Sequence, residues 1–179
     1  FIAEPVMGEG GILPPPPEYF QIAQEIVHDH GALMLIDEVQ SGFGRTGKLF
    51  AIEHYGIEPD VMTMAKGIAD GFPISAFIAR EDIAGAFTPG DHGSTFGGNP
   101  VSCAAAVANI AVMQEEKLPE NAAIRGDWLM QQLRSLQQRC ALVGDVRGKG
   151  LMIGVELVKD TDKTPAAKEA AQVRTLCRE

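Results

Sequence analysis

Two short, largely apolar runs that each end on a charged residue limit the folds open to this chain. Residues 32–36 are continuously hydrophobic before they meet Asp37, and residues 61–65 run into Lys66 in a similar way. Apolar runs of this length are typical of strands that are buried on both faces of a parallel sheet. We therefore expect a sheet with helices on both sides.

Other segments extend this pattern into an alternation of strands and helices. Residues 1–6 and 74–78 have the composition of two further strands. Residues 18–30 carry apolar side chains at three- and four-residue spacing and are followed by Gly31, which predicts an amphipathic helix with a glycine stop. The alternation indicates an α/β fold whose mostly parallel sheet is flanked by helices.

One more helix completes the first unit, and the chain after it predicts a second, smaller unit. The helix follows Asn99 and Pro100, which form a cap and a helix start. The pattern changes near residue 119, so we assign residues 1–118 to a large domain and 119–179 to the start of a small domain. The elements predicted here are two helices and two strands, at residues 101–116, 121–140, 143–146 and 151–158.

Composition excludes several classes of protein. The chain has 179 residues, of which 45% are hydrophobic, enough for one sizeable core. A net charge of −9 without a basic stripe argues against a nucleic-acid partner, and no apolar run reaches the roughly 20 residues that span a membrane. Because the chain starts within an apparent strand and ends within an apparent helix, we expect an internal piece of a longer protein. Three widely spaced cysteines indicate the cytosol or an organelle matrix: Cys103, Cys140 and Cys177.

The polar residues that directly follow apolar runs are the first candidates for chemistry. In open α/β sheets, ligands lie beyond the carboxyl ends of the strands. Glu4, Asp37, Gln40 and Lys66 occupy such places. A lysine that closes a hydrophobic strand and precedes Gly67 can be desolvated, which favours the neutral amine as a nucleophile. Asp37 would be its anionic partner.

Each of these residues also has an ordinary structural explanation. A charged residue at a strand end is more often solvated or part of a structural ion pair. Glu4 precedes a proline and could cap a turn, and the glycines of residues 42–47 are by default tight turns. His28 and His30 are two residues apart on a predicted helix, so they do not face one another and make a poor metal site.

The motifs in combination resemble the class III aminotransferases. That family includes 4-aminobutyrate, acetylornithine, ornithine and alanine–glyoxylate transaminases. The most specific segment is residues 35–47, LIDEVQSGFGRTG, and the matching segments occur in order as far as about residue 160. The resemblance implies a fold-type I transferase large domain, dependent on pyridoxal 5′-phosphate, followed by the start of a smaller α+β domain. The other matching segments are residues 2–6, 8–11, 64–67, 71–73 and 94–100.

The resemblance also implies a role for each residue near the cofactor. Lys66 would hold the cofactor as a Schiff base and then move a proton between substrate and cofactor. Asp37 would pair with the pyridine nitrogen and Gln40 with the phenolic oxygen of the ring. Val39, which we expect on the same side of an extended segment as Asp37, would pack on the ring face.

Further implications concern the partners. Thr95 corresponds to the family residue that binds the phosphate of the neighbouring subunit's cofactor, which implies a homodimer with a shared active site. Glu4 matches an acidic residue of the substrate pocket, whereas Arg147 belongs to a motif that looks structural. The implied reaction transfers an amino group from an amino acid, an ω-amino acid or an amine to a 2-oxo acid. On its own, we expect this chain to be inactive.

Two alternatives stay open at this stage. A class III aminomutase or a decarboxylating transaminase would use the same cofactor with Lys66, Asp37 and Gln40. A non-catalytic α/β binding domain would explain the strands and glycines. It would not explain why a lysine, an aspartate and a glutamine fill three cofactor positions together.

Overall fold

The fold is built on a four-stranded sheet, seen in a computed structural model that describes residues 1–178. Strands β1 (Ile2–Ala3), β2 (Leu35–Asp37), β3 (Val61–Met64) and β4 (Ala76–Ala79) lie in the order β1-β2-β3-β4. The first three strands are parallel, and β4 runs antiparallel to β3. The predicted α/β class with a mostly parallel sheet is confirmed.

The helices begin and end where local sequence signals place them. Helix α1 is followed by Gly31, whose φ of 65° is the left-handed conformation of a helix stop. At the start of α3, the Asn99 side chain accepts a hydrogen bond from the Ser102 backbone N–H at 2.9 Å. No helix within residues 1–178 is both long enough and apolar enough to cross a bilayer. The helices are α1 (Tyr19–Asp29), α2 (Glu81–Ala84), α3 (Pro100–Glu115), α4 (Leu118–Arg139) and α5 (Ala167–Leu176), with 3-10 turns at Ala51–Tyr55 and Lys66–Ile68.

The main core covers one face of the sheet. Ile36 of β2 is in register with Met62 of β3, so both side chains point to this face, and both are buried. Helices α1 and α3 and the turn Ala51–Tyr55 pack against them. The buried side chains that these elements contribute include Phe20, Ile52, Tyr55, Ala106 and Met113.

The opposite face of the sheet is only partly covered, so the expectation that the strands are buried on both faces is wrong for the described residues. Ile2 is 62% exposed and Phe77 is 50% exposed. Along β2 and its flanks, burial alternates: Ile36 is buried while Leu35 and Asp37 are half-buried. The reason is that the packing helices gather on the Ile36 face, which leaves the other face without comparable cover.

A second, smaller cluster forms around an antiparallel hairpin. Strands β5 (Val143–Lys149) and β6 (Met152–Leu157) pair along their length, and α4 packs on them. Gly126 of α4 lies so close to the Gly150 carbonyl that any Cβ at position 126 would collide with it. β5 extends three residues beyond its predicted end at residue 146, because β6 supplies partners for the rest of its length. The buried members of this cluster are Met130, Val143 and Val146.

Candidate active site

The sheet brings three of the predicted residues to one edge. β1 ends at Ala3, directly before Glu4, and Asp37 is the last residue of β2. Asp37 is in register with Thr63 of β3, three residues before Lys66. Neighbouring strands are about 4.8 Å apart, so the carboxyl ends of these parallel strands meet at this edge.

Asp37 keeps part of its carboxylate available. Oδ1 accepts a hydrogen bond from the Val39 backbone N–H at 2.9 Å. Within residues 1–178, the other oxygen has no hydrogen-bond partner, and the residue is only half-buried. The carboxylate is therefore held in place from one side and can accept a further hydrogen bond from a ligand.

A turn follows Asp37, where we expected an extended segment. The bond from the Val39 N–H to the Asp37 side chain and a second bond from the Gly42 N–H to the Glu38 carbonyl, at 3.0 Å, close this turn. Aspartate favours such turns because its side chain bonds the backbone two residues on. The expectation that Val39 continues an extended strand beside Asp37 is therefore wrong. Val39 instead lines a cavity of about 480 Å³ together with Thr63.

Glu38, which we did not predict as a site residue, anchors this turn from the core side. It is fully buried, and its oxygens accept hydrogen bonds from the Ser41 hydroxyl at 2.6 Å and the Ile52 N–H at 2.8 Å. Burial raises the pKa of the Glu38 carboxyl, although these hydrogen bonds oppose the rise. A charged residue that follows a strand is usually exposed to solvent, so the sequence alone did not indicate that Glu38 is buried.

Lys66 begins the 3-10 turn that follows β3. Its φ of 44° lies in the left-handed region, which is uncommon for a residue other than glycine. The residue is exposed, so the expected desolvation by a buried strand end is not provided by residues 1–178. The reason is its position beyond the last buried strand residue, Met64, at the open edge. Lys66 lines a cavity of about 570 Å³ together with Gln40, Phe43 and Asn109.

Gln40 and Glu4 are both tied to the glycine loop after β1. Any Cβ at Gly8 would collide with the Gln40 amide oxygen, so only glycine lets this amide lie where it does. The Gly8 N–H donates to a Glu4 carboxylate oxygen at 2.9 Å. Glu4 thus caps a turn, which was its structural explanation from the sequence. It also lines a cavity of about 680 Å³ together with Asp37.

Thr95 is not brought together with the other candidates within this chain. It is exposed, and it lines none of the three cavities described above. Its segment is a turn in which the Gly97 N–H donates to the Ser94 hydroxyl at 3.0 Å. The other predicted residues line three separate cavities: Lys66 with Gln40, Asp37 with Glu4, and Val39 beside Thr63.

Arg147 makes contacts of a structural kind. Its guanidinium donates to Asp145 at 2.8 Å, to Glu156 at 2.6 Å and to the Gly11 carbonyl at 3.0 Å. The bond to Gly11 joins the β5–β6 hairpin to the loop after β1, and the other two lie within the hairpin. The contacts support the interpretation that Arg147 is not a substrate-binding arginine.

Asn109 was also missed by sequence reasoning. Its side-chain amide donates to the Gly67 carbonyl at 2.8 Å and to the Ile68 carbonyl at 3.1 Å. An amide in the middle of an alanine-rich and valine-rich helix was the available signal. Its partners lie more than 40 positions away, however, and the helix pattern does not reveal them.

Comparison with known proteins fits this arrangement. The chain is 53% identical over 156 residues to an acetylornithine aminotransferase of Methanothermobacter thermautotrophicus, a match that covers 87% of this chain and 40% of that protein. It is 46% identical to a leucine/methionine racemase of Thermococcus litoralis, over 95% of this chain and 38% of that protein. The chain thus spans about 40% of the length of the curated relatives it matches.

Structural comparison and a family profile agree with these relatives. The crystal structure of a Bacillus anthracis aminotransferase superposes with a TM-score of 0.89 at 44% identity, covering 95% of this chain and 40% of that one. The sequence profile of the family described as Aminotransferase class-III matches residues 1–178. The chain therefore belongs to the class III aminotransferase family.

Proposed function

We propose that the complete gene product transfers an amino group from an amino acid, an ω-amino acid or an amine to a 2-oxo acid. The observation that carries the proposal is the edge of the parallel sheet, where Asp37 and Lys66 follow adjacent strands and Gln40 shares a cavity with Lys66. A carboxylate and a primary amine thus lie at the carboxyl ends of adjacent strands, and an amide lines the same cavity as the amine, in a chain of a family that catalyses amino-group transfer.

The family depends on pyridoxal 5′-phosphate, and the donor set at this edge fits that cofactor. Within residues 1–178 the Lys66 amine has no hydrogen bond or ion pair, and one Asp37 oxygen has no partner. When bound, pyridoxal 5′-phosphate supplies a ring that accepts the electron pair left behind as a substrate carbon loses its proton. Such a ring needs an amine to attach to and an anion at its nitrogen.

The proposed roles follow from the chemistry of each side chain. The Nζ of Lys66 would hold the cofactor and would carry the proton to and from the amino-bearing carbon of the substrate. The ionised carboxylate of Asp37 would hold a proton on the ring nitrogen. Val39 would pack on the ring face, and the amide of Gln40 would donate a hydrogen bond to the ring oxygen.

Thr95 and Glu4 have proposed roles at the borders of the site. We assign Thr95 to the phosphate of a second subunit's cofactor, which makes the functional unit a homodimer. Its exposure, and its absence from the linings of the cavities that contain Lys66, Asp37 and Val39, support this assignment. We assign Glu4 to the substrate pocket, and the cavity that it shares with Asp37 supports this assignment.

We also propose the domain division and the compartment predicted from the sequence. Separate hydrophobic clusters around the sheet and around the β5–β6 hairpin support a large domain at residues 1–118 and a small one from residue 119. Three free cysteines support a reducing compartment, the cytosol or an organelle matrix: Cys103, Cys140 and Cys177.

The proposal is tested by the absorbance spectrum of the complete gene product, followed by a screen of amino donors with pyruvate, glyoxylate and 2-oxoglutarate. We expect a cofactor band that changes on adding a donor, and a new amino acid from one of the acceptors. A protein without such a band would be the non-catalytic binding domain. Release of carbon dioxide, or movement of the amino group within one molecule, would indicate the decarboxylating or aminomutase alternatives.

A racemase relative at 46% identity makes one further control necessary. The screen includes each amino acid as a single enantiomer without any 2-oxo acid. Appearance of the opposite enantiomer in that arm would indicate racemisation instead of transfer. Products that form only when a 2-oxo acid is present support the proposed transfer.

A further inference from the structure

The turn that carries Lys66 needs external support. Lys66 has a φ of 44°, a left-handed conformation that a side chain disfavours. The 3-10 turn Lys66–Ile68 contains three residues, and a backbone bond from the Ile68 N–H to the Ala65 carbonyl, at 3.1 Å, closes it. A turn this short leaves its last carbonyl groups without partners of their own.

The side chain of Asn109 supplies both missing partners. Its Nδ2 donates to the Gly67 carbonyl at 2.8 Å and to the Ile68 carbonyl at 3.1 Å. Asn109 lies on α3 between the buried residues Ala106 and Met113, three positions before and four positions after it, and therefore on the same helix face. The helix core contacts thus fix the amide in place.

The other side of the turn is closed by Phe43. A Cβ at Gly67 would lie 3.0 Å from the Phe43 Cβ, so the turn and this aromatic residue are in close contact. Phe43, Lys66 and Asn109 line the same cavity. The turn is therefore held between a packed side chain on one side and a two-fold hydrogen-bond donor on the other.

We propose that Asn109 is a positioning residue for Lys66. Its amide holds the two carbonyls of the turn, keeps Lys66 in the left-handed conformation, and so fixes the direction from which Nζ reaches the cavity. The inference rests on the proposed function in one respect, namely that Lys66 is the residue that binds the cofactor. The statement about the turn itself holds for the chain's own residues.

Three substitutions separate the hydrogen bonds from side-chain size. Asn109→Leu keeps the volume but removes the donor. Asn109→Asp keeps the shape but directs carboxylate oxygens at two carbonyls, so its effect is expected to be larger. Asn109→Ser retains a donor on a shorter side chain and is expected to lie between Asn109→Leu and the wild type. It also provides a milder variant if the first two do not accumulate as folded protein.

Gln137→Leu is the matched control. Gln137 also lies on a helix, is half-buried, and donates from its amide to a backbone carbonyl, that of Gly144, at 3.0 Å. That bond belongs to the α4–β5 cluster and has no contact with the Lys66 turn. The control therefore removes the same kind of interaction at a place remote from the cavity.

Two measurements on the complete gene product test the inference. In the cofactor-free protein, hydrogen exchange of residues 65–69 should be about tenfold faster in Asn109→Leu than in the wild type, because local opening becomes easier. In the loaded enzyme, kcat should fall about 10- to 100-fold while KM stays within about twofold, because a misdirected amine impairs the chemical step more than binding. Gln137→Leu should change neither measurement.

The outcomes distinguish this inference from the proposed function. Wild-type exchange and wild-type kcat in Asn109→Leu and Asn109→Asp would overturn the inference, as would equal changes in Gln137→Leu. A cofactor attached to some lysine other than Lys66 would overturn the proposed function. The exchange result would still report whether Asn109 holds the turn, because that measurement needs no cofactor.

Discussion

An aspartate lies at each end of the sheet, and the two differ in burial and in the number of their partners. Asp60, directly before β3 at the amino end, is 1% exposed, and its carboxylate contacts the Met34 N–H at 2.7 Å, His28 at 2.8 Å, and Arg80. Asp37, at the carboxyl end of β2, is half-buried and accepts one hydrogen bond from the backbone. One carboxylate is saturated with partners, and the other is not.

The difference shows how burial and partners separate structure from chemistry. A buried charge is tolerated only when hydrogen bonds and opposite charges compensate it, which is the situation of Asp60. A carboxylate can bind a ligand only through an oxygen that the protein leaves free, and within residues 1–178 Asp37 has such an oxygen. The amino end of the sheet therefore serves stability, while the carboxyl end is available for binding.

Lys66→Ala should have the largest effect on the carboxyl end. We expect transamination by the complete gene product to fall to the uncatalysed level, because Lys66 is the lysine that follows a strand at this edge among residues 1–178. The measurement is turnover with a donor found in the screen, and Lys48→Ala, which replaces another exposed lysine, is the control. Turnover of Lys66→Ala within about tenfold of the wild type would contradict the role of Lys66.

Asp37→Asn sharpens the comparison with Asp60. The substitution keeps the shape and the bond from the Val39 N–H but removes the charge that holds a proton on the ring nitrogen. We expect kcat to fall by about 10²–10³-fold while the cofactor still binds. Turnover near the wild-type value would remove Asp37 from the mechanism. The midpoint of thermal unfolding should change little, because the residue is half-buried.

Asp60→Ala should affect stability and not chemistry. It leaves the buried Met34 N–H without an acceptor and removes the carboxylate that both His28 and Arg80 contact. The free energy of unfolding should therefore fall by about 2–3 kcal/mol. Denaturant unfolding measures this loss. A variant that is as stable as the wild type, or one whose kcat falls as far as that of Asp37→Asn, would erase the distinction between the two ends.

Acid should reduce the stabilisation that Asp60 contributes at the amino end of the sheet. Burial alone raises the pKa of Asp60, but the hydrogen bond from the Met34 N–H and the contacts with His28 and Arg80 outweigh it and hold the pKa below its ordinary value. The stabilisation is therefore present above the unfolded pKa, about 3.9, and is lost as the pH falls through the lower folded pKa. The stability gap between wild type and Asp60→Ala should narrow over that interval, as measured by unfolding at a series of pH values.

Glu38→Gln should have the smallest effect and the opposite pH dependence. Burial raises the pKa of Glu38, so its stabilisation is present below the unfolded pKa, about 4.3, and is lost as the pH rises through the folded pKa. Glutamine can still accept from the Ile52 N–H and donate to the Ser41 hydroxyl. We expect the free energy of unfolding to change by less than about 1 kcal/mol, and the variant to become more stable relative to the wild type as the pH rises. A variant that becomes less stable than the wild type at high pH would contradict this assignment.

Local patterns predicted the elements but not how they are buried. The helix start at Asn99 and Pro100 and the stop at Gly31 depend on neighbouring residues, so the sequence contains their signals. The one-sided cover of β2 depends on where α1 and α3 pack. Strand composition alone does not show this, and the prediction of burial on both faces was wrong.

The candidate site also has features that local sequence predicts and features that depend on distant contacts. The positions of Asp37 and Lys66 at the carboxyl ends of strands were predictable because each directly follows an apolar run. The burial of Glu38 and the contacts of Asn109 with Gly67 and Ile68 arise only when distant segments meet. The exposure of Lys66 likewise depends on the open edge of the sheet, which the strand pattern does not reveal.

The most direct test of the central claim is to treat the complete, cofactor-loaded gene product with borohydride, digest it and map the modified lysine by mass spectrometry. Borohydride fixes the cofactor on whichever amine holds it. We predict that the modification lies on Lys66, at the carboxyl edge of the sheet. Its recovery on Lys48 or on Lys149, whose Nζ lies 5.5 Å from the Tyr55 ring centroid, would contradict the assignment of this edge as the active site.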